Sequence, residues 1–468
     1  MESWDVLVIG TGPSALRAAI ESSDSGANTV LVHQSPGPII SPSTAGLAAS
    51  LGETTPEAHI EDTIALGDES TNEQAVRRTC SSSVEILSEL ERWGMILRRD
   101  KGGLPHLSSV PGHAVPRLSG AGDATNRYIT QILDEQVLKR SIQRRQNHIP
   151  LSLVMDNSQI RGIVALDLLD GKVKPYQCKA IILADEGYQG LWSNPSIGSG
   201  NAIALAIRAG ISPQNLQKVP LHPMVIRGTN VPIPFEILDV GGRYRSESGE
   251  DIDPLSHKED AVVDMRFIDN QHSIWFDSIR KTILDSTGLD TSIDVIPVKH
   301  QVMETTGGIP VDEKGRVTIE SGKMWATGVY AAGPSASTGF HTSSILPGNT
   351  MLENLYTGSL AGGEAGKWSL NCEFGGSKDI LQSVDSANKR IEDLYKESGD
   401  SVGAAETKLT GQAKSFLTGS ATVESLIEIA EKTVNTVKTT TNTRVMNQEI
   451  IGALRVQDLG TIAASFTM

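Results

Sequence analysis

The chain begins with a short apolar run that is followed by glycines and then by a helical pattern. Val6 to Ile9 are consecutive apolar residues, as in a strand that is buried on both faces of a parallel sheet. A helix is predicted to open over Leu16 to Ile20, and a second, mostly apolar run occupies Thr29 to Val32. This order predicts a β–α–β unit at the start of the chain.

The turn between the first strand and the helix has the pattern Gly-x-Gly-x-x-Ala, formed by Gly10, Gly12 and Ala15. Gly10 permits a tight turn, Gly12 lets the backbone approach a pyrophosphate, and the small Ala15 lets helix and strand pack closely. The N-terminus of the helix adds free N–H groups and a partial positive charge. The position of the motif between a strand and a helix predicts a dinucleotide site, with an ordinary tight turn as the alternative.

The rest of the pattern predicts a mixture of strands and helices. Residues 36–58 are rich in glycine, proline, serine and threonine, which is typical of a long loop that can approach a flat ligand closely. A helical pattern covers 56–94 and ends at Gly94, whereas 149–184 alternates as strands do. Helical periodicity returns in 371–468.

Composition argues against several classes of partner. Of the 468 residues, 41 are basic and 56 acidic, and the net charge of -15 disfavours nucleic acid or an anionic membrane. The cysteines Cys80, Cys178 and Cys372 lie far apart, so we expect no metal site or disulfide framework and a reducing compartment. No apolar run is long enough to span a bilayer, and the first strand leaves no room for a signal peptide. A cytoplasmic protein of two or three domains is therefore expected.

Segments along most of residues 4–365 resemble, in the same order, the flavoprotein subunits of succinate dehydrogenase and fumarate reductase, and L-aspartate oxidase. They include the loop of small residues, a Gly-Asp-Ala-Thr segment, an Asn-Pro segment that runs into a helix and a His-Pro pair. A late apolar strand and a segment bearing His, Asn and Glu complete the resemblance. The corresponding positions are Ser43–Gly52, Gly122–Thr125, Asn194–Ala206, His222–Pro223, Val329–Gly333 and His341–Glu353.

The resemblance implies an α/β fold with a Rossmann-type FAD-binding domain, an inserted α+β capping domain and a C-terminal helical region. The FAD-binding domain would be discontinuous and would comprise residues 1–225 and 296–370. A shortened capping domain would occupy 226–295, and the helical region would occupy 371–468.

The resemblance also assigns contacts with FAD, position by position. The positions are Gly10, Thr11, Gly12, Pro13, Ser14, Ala15, Gln34, Ser35, Thr44, Ala45, Gly46, Asn201, Gly333, Thr350 and Met351. Several residues depart from the family pattern: Asn201 replaces an acid, Pro334 replaces a glutamate, and Asp185 and Glu186 stand where the family has threonine and glycine. Ile39 lies near the position at which a covalently flavinylated relative has histidine, so non-covalent FAD is expected. A retained fold with a weakened or empty site is the alternative.

The family holds a dicarboxylate over the flavin with two histidines, a threonine and arginines, one of which donates a proton. Arginine suits this task because its guanidinium binds a carboxylate through two hydrogen bonds. Here His222 is retained. The remaining positions carry Phe235 for the threonine, Asp239 and Ile345 for arginines, Met303 for the second histidine and Glu259 for the proton-donating arginine.

His222 and Glu259 are therefore the candidate catalytic residues, and a pocket of this composition is predicted to repel succinate, fumarate and aspartate. Other basic residues near these positions could restore positive charge, although exposed arginines and hydrogen-bonded histidines are the simpler interpretation. These residues are Arg227, Arg243, Arg245, Arg266, His300 and His341.

Three functions agree with this sequence. The first is an FAD-dependent oxidoreductase that acts on an altered small-molecule substrate. The second is a catalytically lapsed flavoprotein or structural subunit of a redox complex, and the third is ordinary succinate dehydrogenase or fumarate reductase activity. An iron–sulfur electron-transfer partner would be a separate chain because this one has no cysteine cluster, and any membrane association would be peripheral through such a partner.

Overall fold

The computed structural model describes residues 1–52, 54–193 and 197–466. The strands within these residues are β1 (Glu2–Ile9), β2 (Thr29–Val32), β3 (Leu47–Ala48), β4 (Leu118–Ser119), β5 (Gln143–Arg145), β6 (His148–Asp156), β7 (Gln159–Asp167), β8 (Val173–Leu183), β9 (His222–Ile226), β10 (Arg243–Ser246), β11 (Ala261–Asp264), β12 (Val295–Gln301), β13 (Ile309–Pro310), β14 (Arg316–Ile319), β15 (Met324–Ala331), β16 (Ala336–Ser337), β17 (Asp400–Ser401) and β18 (Val437–Lys438). The α-helices are α1 (Pro13–Asp24), α2 (Pro56–Leu66), α3 (Glu73–Ser81), α4 (Ser83–Arg92), α5 (Thr125–Lys139), α6 (Asn201–Arg208), α7 (Asn270–Ser273), α8 (Asp277–Thr287), α9 (Asn349–Ser369), α10 (Lys378–Glu392), α11 (Val402–Leu417), α12 (Val423–Thr436) and α13 (Gln448–Ala463).

A mainly parallel sheet forms the centre of the fold. β1 lies between β2 and β8 and is parallel to both, β5 extends the sheet beyond β2, and β15 runs parallel to the second half of β8. β6 and β7 form an antiparallel hairpin that pairs with the first half of β8. The register places Ile9 opposite both Val32 and Leu183, so the three strands end at the same edge. In open α/β sheets, ligands bind at this edge.

The continuous apolar sequence of the central strands follows from burial on both faces. Helices α1, α5 and α9 cover one face of the sheet, and their apolar side chains share a core with Val6 and Val8. Helix α6 and the C-terminal helices α11, α12 and α13 cover the other face, where Leu7 and Ile9 lie. Because successive residues of a strand point to opposite faces, both sets must be apolar.

Helix α9 packs along α1 through glycines spaced four residues apart. A Cβ atom on Gly358 would lie 2.5 Å from the carbonyl oxygen of Ser14, and one on Gly362 would lie 2.3 Å from that of Ala18. These contacts advance in the same direction on both helices, so the helices are parallel and both N-termini face the ligand-binding edge. Since α9 begins nine residues before Gly358 and α1 begins one residue before Ser14, the N-terminus of α9 projects about 12 Å beyond that of α1.

A second, antiparallel sheet has the order β10-β11-β12-β9. Helix α8 packs on it, and the apolar core between them also contains Ala45 and Ala48 of the small-residue loop. The backbone N–H of Phe235 donates to the carbonyl of Thr44 at 3.0 Å, which ties this unit to that loop. Along the chain, the first strand of this sheet begins at His222 and the last ends at Gln301, outside the predicted limits 226–295, and the domain division stays a prediction.

The structure confirms the predicted α/β class. Along the chain, the four strands of the antiparallel sheet lie between β8 and β14 of the main sheet, and helices α10 to α13 lie within 371–468. The helical pattern of 56–94 consists of three helices, α2, α3 and α4, and Gly94 has the left-handed conformation of a helix end, with φ of +103°. Residues 194–196 of the Asn-Pro segment lie outside the described residues. Within the described part of the chain, no helix combines the length and apolar character needed to cross a bilayer.

Candidate functional site

A cleft opens at the carboxyl ends of β1, β8 and β15. It encloses about 1420 Å³, including solvent at its mouth. Its walls are formed by the turn after β1, residues 39–46, the segment after β8, residues 303–306, the turn after β15 and the first turn of α9. No lysine or arginine is found among the described residues that line it.

The two glycines of the turn after β1 have different physical roles. Gly10 has φ of +119°, and a Cβ atom there would lie 2.4 Å from the carbonyl oxygen of Ala184, so the close approach of the two chains just after β1 and β8 requires glycine. A Cβ atom on Gly12 would have no atom within 4 Å, because this residue faces the open cleft. The Thr11 hydroxyl between them is buried and has no hydrogen-bond partner among the described residues. The turn is therefore shaped to bring backbone close to a ligand.

Two helix N-termini face this cleft without side-chain caps. Helix α1 has Gly12 at its N-cap and Pro13 in its first turn, and α9 has Gly348 at its N-cap. Neither first turn contains an acidic residue. Uncapped N–H groups and the partial positive charge of a helix N-terminus attract anions. The cleft thus offers favourable sites for negative charge that do not depend on arginine or lysine.

A smaller cavity of about 460 Å³, open mouth included, adjoins the cleft beneath the antiparallel sheet. The residues shared by both linings form the junction: Thr44, Ala45, Met303, Glu304, Ile345, Gly348 and Thr350. The others that line the smaller cavity are Pro220, Leu221, His222, Pro223, Phe235, Leu255 and Pro347. Most of these side chains are apolar, and the described lining again contains no lysine or arginine.

His222 is the histidine of the smaller cavity. Its Nδ1 accepts a hydrogen bond from the backbone N–H of Met224 at 3.2 Å, and its ring packs against Phe235 with centroids 5.1 Å apart. Burial lowers the pKa of His222 to about 4, and the backbone carbonyl of Thr44 opposes this in part. A neutral ring whose Nδ1 accepts must carry its proton on Nε2. That Nε2 is buried and makes no hydrogen bond of good geometry within the described residues.

Glu304 lies at the junction of the two cavities. The Thr350 hydroxyl donates to its Oε2 at 2.6 Å, and Thr44 also binds this carboxyl. Burial raises the pKa of Glu304, and the two threonine hydroxyls oppose that shift. Within the described part of the chain, the carboxyl therefore has a hydroxyl donor but no cationic partner.

Glu353 is a second acid along the same wall. Its carboxyl accepts from the Thr338 hydroxyl and lies 3.4 Å from Nε2 of His341. Burial and the nearby carboxyl of Glu304 raise the pKa of Glu353 to about 7. Burial lowers the pKa of His341 to about 3, so this histidine supplies no positive charge near neutral pH.

Comparisons with known proteins agree with this geometry. The profile of a family described as "FAD binding domain" matches residues 5–252 and 265–351, which is more than half of the chain. The chain belongs to this family. It is 28% identical over 395 residues to an L-aspartate oxidase of Streptomyces coelicolor, covering 75% of this chain and 66% of that protein. It is 26% identical over 410 residues to a succinate dehydrogenase flavoprotein subunit of Rickettsia bellii, covering 76% and 68%.

Solved structures extend the likeness to nearly the whole chain. A mutant FrdA subunit of E. coli quinol fumarate reductase superposes with a TM-score of 0.88 at 20% identity, covering 99% of this chain and 88% of that one. At this identity the match establishes the fold alone. The chain spans about two-thirds of the length of the L-aspartate oxidase named above. The predicted resemblance to this group of flavoproteins is thus confirmed.

FAD is the cofactor of this family, and the cleft fits such a group. The open space at Gly12 and the uncapped N-termini of α1 and α9 are what a buried pyrophosphate requires. Of the positions assigned to FAD by resemblance, nine line the cleft. They are Gly12, Pro13, Ser14, Thr44, Ala45, Gly46, Gly333, Thr350 and Met351.

The other assigned positions lie outside the cleft lining. Gly10, Thr11 and Ala15 form its support: Gly10 turns the chain, and Ala15 is fully buried beside β1. Gln34 is exposed after β2, and the Ser35 hydroxyl donates to the carbonyl of Gly37. Gln34 and Ser35 therefore do not line the cleft in this structure.

Asn201 occupies the first turn of α6 but its side chain turns toward the C-terminal region. Its Nδ2 donates to the carbonyl of Pro150 at 3.1 Å and to Asp458 of α13 at 2.8 Å. Asp458 also binds Arg208 at 2.8 Å and Arg390 at 3.3 Å. The amide thus joins α6 to a buried ion-pair network, and its FAD contact stays a prediction without support from this arrangement.

Two acids line the cleft near the start of α1. Asp185 and Glu186 follow Ala184, whose carbonyl oxygen lies 3.5 Å from the Ser14 hydroxyl. Burial raises the pKa of Asp185 to about 6, and burial together with the charge of Asp185 raises the pKa of Glu186 to about 7. The backbone N–H of Gly198 donates to Glu186 at 2.8 Å. Near neutral pH these carboxyls are partly protonated in the FAD-free protein.

Arginines that could have restored the family's clamp are engaged elsewhere. Arg227 pairs with Glu247 and Asp260, both exposed. Arg245 and Arg266 both bind Asp264, a fully buried acid of β11. None of these arginines lines the cleft or the smaller cavity.

The two acids at former arginine positions behave differently. Asp239 accepts from the His106 ring and from the Ser109 backbone N–H, each at 2.9 Å, and lies 3.7 Å from Arg98. Glu259 is exposed in the segment before β11 and lines neither cavity. Its proton-transfer role stays a prediction that its position does not support.

Sequence reasoning named His222 but missed Glu304 and Glu353 as parts of the site. A signal for Glu304 was present, because it directly follows Met303 in the aligned segment before Gly307. Glu353 lies on the cleft side of α9, four residues after Asn349. Its place near the N-terminus of a helix was the signal for it in the sequence.

Proposed function

We propose that this chain is an FAD-dependent oxidoreductase, with FAD bound non-covalently, whose substrate is not a dicarboxylate. The observation that carries the proposal is the composition of the smaller cavity, which adjoins the FAD cleft and whose described lining has no lysine or arginine. Phe235, Met303 and Ile345 present apolar side chains where the family has groups that bind carboxylates.

The electrostatic argument against a dicarboxylate can be given a magnitude. A carboxylate that is desolvated without a cationic partner costs about 2–5 kcal/mol, which corresponds to a factor of about 30 to several thousand in Kd. The carboxyl of Glu304 at the mouth of the cavity would add repulsion between like charges. Succinate, fumarate and L-aspartate should therefore bind poorly.

Residues of the chain can be assigned parts in the proposed reaction. The N-terminus of α1 with Gly12 would hold the pyrophosphate, and the N-terminus of α9 with Thr350 would lie along the flavin. FAD, when bound, supplies the acceptor for a hydride. His222, with its proton on Nε2, would donate a hydrogen bond to an oxygen of the substrate. The apolar walls would exclude water from the reacting groups.

The absence of a histidine at the attachment position supports non-covalent FAD. Ile39 lines the cleft, and a hydrocarbon side chain cannot bond to the flavin. Acid precipitation should therefore leave the yellow colour in the supernatant. Flavin that stays with the precipitated protein would contradict this part of the proposal.

A second candidate, a catalytically lapsed flavoprotein, is favoured by Asp185 and Glu186. Two acids near the expected pyrophosphate would weaken FAD binding through repulsion between like charges. The chain would then act as a structural subunit of a redox complex. For this second candidate we also propose an iron–sulfur subunit as the partner. The chain would then associate with a membrane only peripherally, through that partner.

The test begins with the visible spectrum of the purified protein, before and after incubation with FAD. Turnover of succinate, fumarate and L-aspartate is then measured with an artificial electron carrier. Bound FAD without turnover of these acids supports the proposal. Turnover at rates typical of enzymes, on the order of 1–1000 s⁻¹, would contradict it, and protein that cannot take up FAD would favour the lapsed subunit.

A gain of binding tests the charge argument directly. Ile345→Arg places a cation at the junction of the cavities, and Ile345→Gln is a polar control without charge. Only the arginine variant should bind succinate measurably more tightly than the parent protein. Equal succinate affinity in all three proteins would show that missing positive charge is not what excludes dicarboxylates.

A further inference from the structure

The smaller cavity has a polar end and an apolar body. Its apolar wall consists of Pro220, Leu221, Phe235, Leu255, Ile345 and Pro347. Its polar groups are Glu304 and the threonine hydroxyls at the junction, with His222 on the wall. A ligand that matches this lining has a hydrocarbon part and a compact polar part.

The carboxyl of Glu304 can accept more hydrogen bonds than the protein gives it. A carboxylate has about four lone-pair sites, and the Thr350 hydroxyl occupies one of them, with the Thr44 hydroxyl close enough to lower the pKa. Among the described residues lining either cavity, no lysine or arginine competes for the others. A ligand cation would meet this carboxyl through a charge-assisted hydrogen bond, which is about twice as strong as a neutral one.

His222 provides an independent indication that the cavity takes a polar ligand. The side chain is 9% exposed, and its Nε2 has no hydrogen-bond partner of good geometry in the described residues. Because Nδ1 already accepts from Met224, Nε2 is a donor, and the Thr44 carbonyl near the ring gives it no acceptor of good geometry. A fully unsatisfied buried donor costs about 1–3 kcal/mol, and a well-placed ligand oxygen would recover the part of this that the Thr44 carbonyl does not.

A metal ion does not fit this arrangement. The described residues contain no group of three or more histidine, cysteine, aspartate or glutamate side chains that could hold one. Glu304 and His222 are therefore better matched to a ligand with its own ammonium group and a neutral oxygen.

We infer that the substrate class of this cavity is a small amine with an apolar chain and a hydroxyl or carbonyl oxygen, its ammonium on Glu304 and its oxygen on Nε2 of His222. That the bound amine is a substrate rests on the proposed function, whereas the binding of the amine does not depend on it. The hydrocarbon chain between these two polar groups would pack against the apolar wall.

Three four-carbon probes that differ in charge test the inference: 4-aminobutan-1-ol, butane-1,4-diol and succinate. Their binding is measured by isothermal titration calorimetry on the full chain, with and without FAD. The amino alcohol should bind most tightly, followed by the diol and then succinate. Succinate that binds as tightly as the amino alcohol would overturn the inference.

Variants separate the carboxyl from the rest of the cavity. Glu304→Gln should weaken the amino alcohol about tenfold or more and leave the diol nearly unchanged, because only the amine uses the charge. Glu373→Gln, at an exposed position outside both cavities, is the matched control and should change neither ligand. Thermal unfolding of each variant verifies that it is folded, and Glu304→Asp, which keeps the charge, should retain part of the affinity for the amino alcohol.

The two proposals can fail separately. Protein that holds FAD and ignores dicarboxylates but shows no preference for the amine refutes only the substrate class. Protein that takes up no FAD but binds the amino alcohol through Glu304 refutes the oxidoreductase and keeps the cavity assignment. Unchanged amine affinity in Glu304→Gln refutes the assignment in either case.

Discussion

Glu186→Gln should make both folding and FAD binding less sensitive to pH. Glu186 lines the cleft close to the N-terminus of α1, and burial raises the pKa of its carboxyl from its ordinary value of 4.5 to about 7. Because the folded-state pKa is the higher one, the carboxyl favours the folded state below about pH 4.5. That contribution is lost as pH rises through about 7, where the buried group ionises.

The pKa values set the size of the effect. A difference from 4.5 to about 7, at 1.36 kcal/mol per pKa unit, is worth about 3 kcal/mol of unfolding free energy as an upper limit. Glutamine cannot ionise, so the FAD-free variant should exceed the parent in stability by about 1–3 kcal/mol at pH 8 and match it near pH 4. Its amide oxygen can still accept from the N–H of Gly198. Asp185, whose pKa is raised to about 6, should leave some pH dependence between pH 4 and 6.

The affinity for FAD should also fall as pH rises. Ionised Glu186 would repel the pyrophosphate, so the parent protein should bind FAD more weakly at pH 8 than at pH 5.5, and the glutamine variant should recover about tenfold at pH 8. Urea denaturation across pH and quenching of FAD fluorescence measure the two effects. Glu373→Gln serves as the exposed control. The reasoning is refuted if the glutamine variant keeps the parent's pH dependence, or if the parent binds FAD more tightly at pH 8.

Other substitutions test separate parts of the structure. Gly12→Ala adds a methyl group to open space, so unfolding free energy should change by less than about 1 kcal/mol while the Kd for FAD rises; equal FAD affinity would contradict the pyrophosphate assignment. Gly10→Ala, at φ of +119° and with its new methyl 2.4 Å from a carbonyl oxygen, should instead lose several kcal/mol in the same urea titration. Asp458→Ala should cost at most about 3–5 kcal/mol, because Arg390 and Arg208, both partly exposed, would lose their buried carboxyl partner, and a loss below about 1 kcal/mol would show that this network is not needed. His222→Asn, whose Oδ1 can still accept from a backbone N–H, should reduce turnover more than it reduces the melting temperature; a parallel fall in both would indicate a structural role.

The local parts of the fold were accessible from the sequence. The apolar runs of β1 and β2 and the glycines between β1 and α1 depend on neighbours within a few residues, so the pattern alone predicts them. The row of glycines on α9 was not recognised, because its meaning depends on α1, which lies over 300 residues earlier in the chain. Glycines that recur every four residues on a helix indicate a close helix–helix contact only when the partner helix is known.

The direction of individual side chains was the least predictable feature of the site. Asn201 occupies the expected position in α6, yet its amide binds Asp458, which lies more than 250 residues later. The hydroxyl of Thr44 that supports Glu304 is similarly distant in sequence. An alignment predicts where a residue lies along the backbone. Its hydrogen bonds depend on which distant residues the fold brings next to it. Glu259 shows the same limit, since its aligned position is exposed.

The distribution of charge distinguishes the cleft from the rest of the protein. Asp167, Asp264 and Asp458 are buried away from the cleft, and each has a lysine or arginine within 4 Å. The carboxyls that line the cleft have no such partner among the described residues: Asp185, Glu186, Glu304 and Glu353. A buried carboxylate without a countercharge costs free energy that pairing would recover. Glu236 is the exception among the buried acids, since it is 2% exposed and has no ion pair in the described residues. The cleft differs in having four unpaired carboxyls together, where protons or a ligand can supply the missing positive charge. A cationic ligand at Glu304 satisfies that requirement, whereas a dicarboxylate would add to the imbalance.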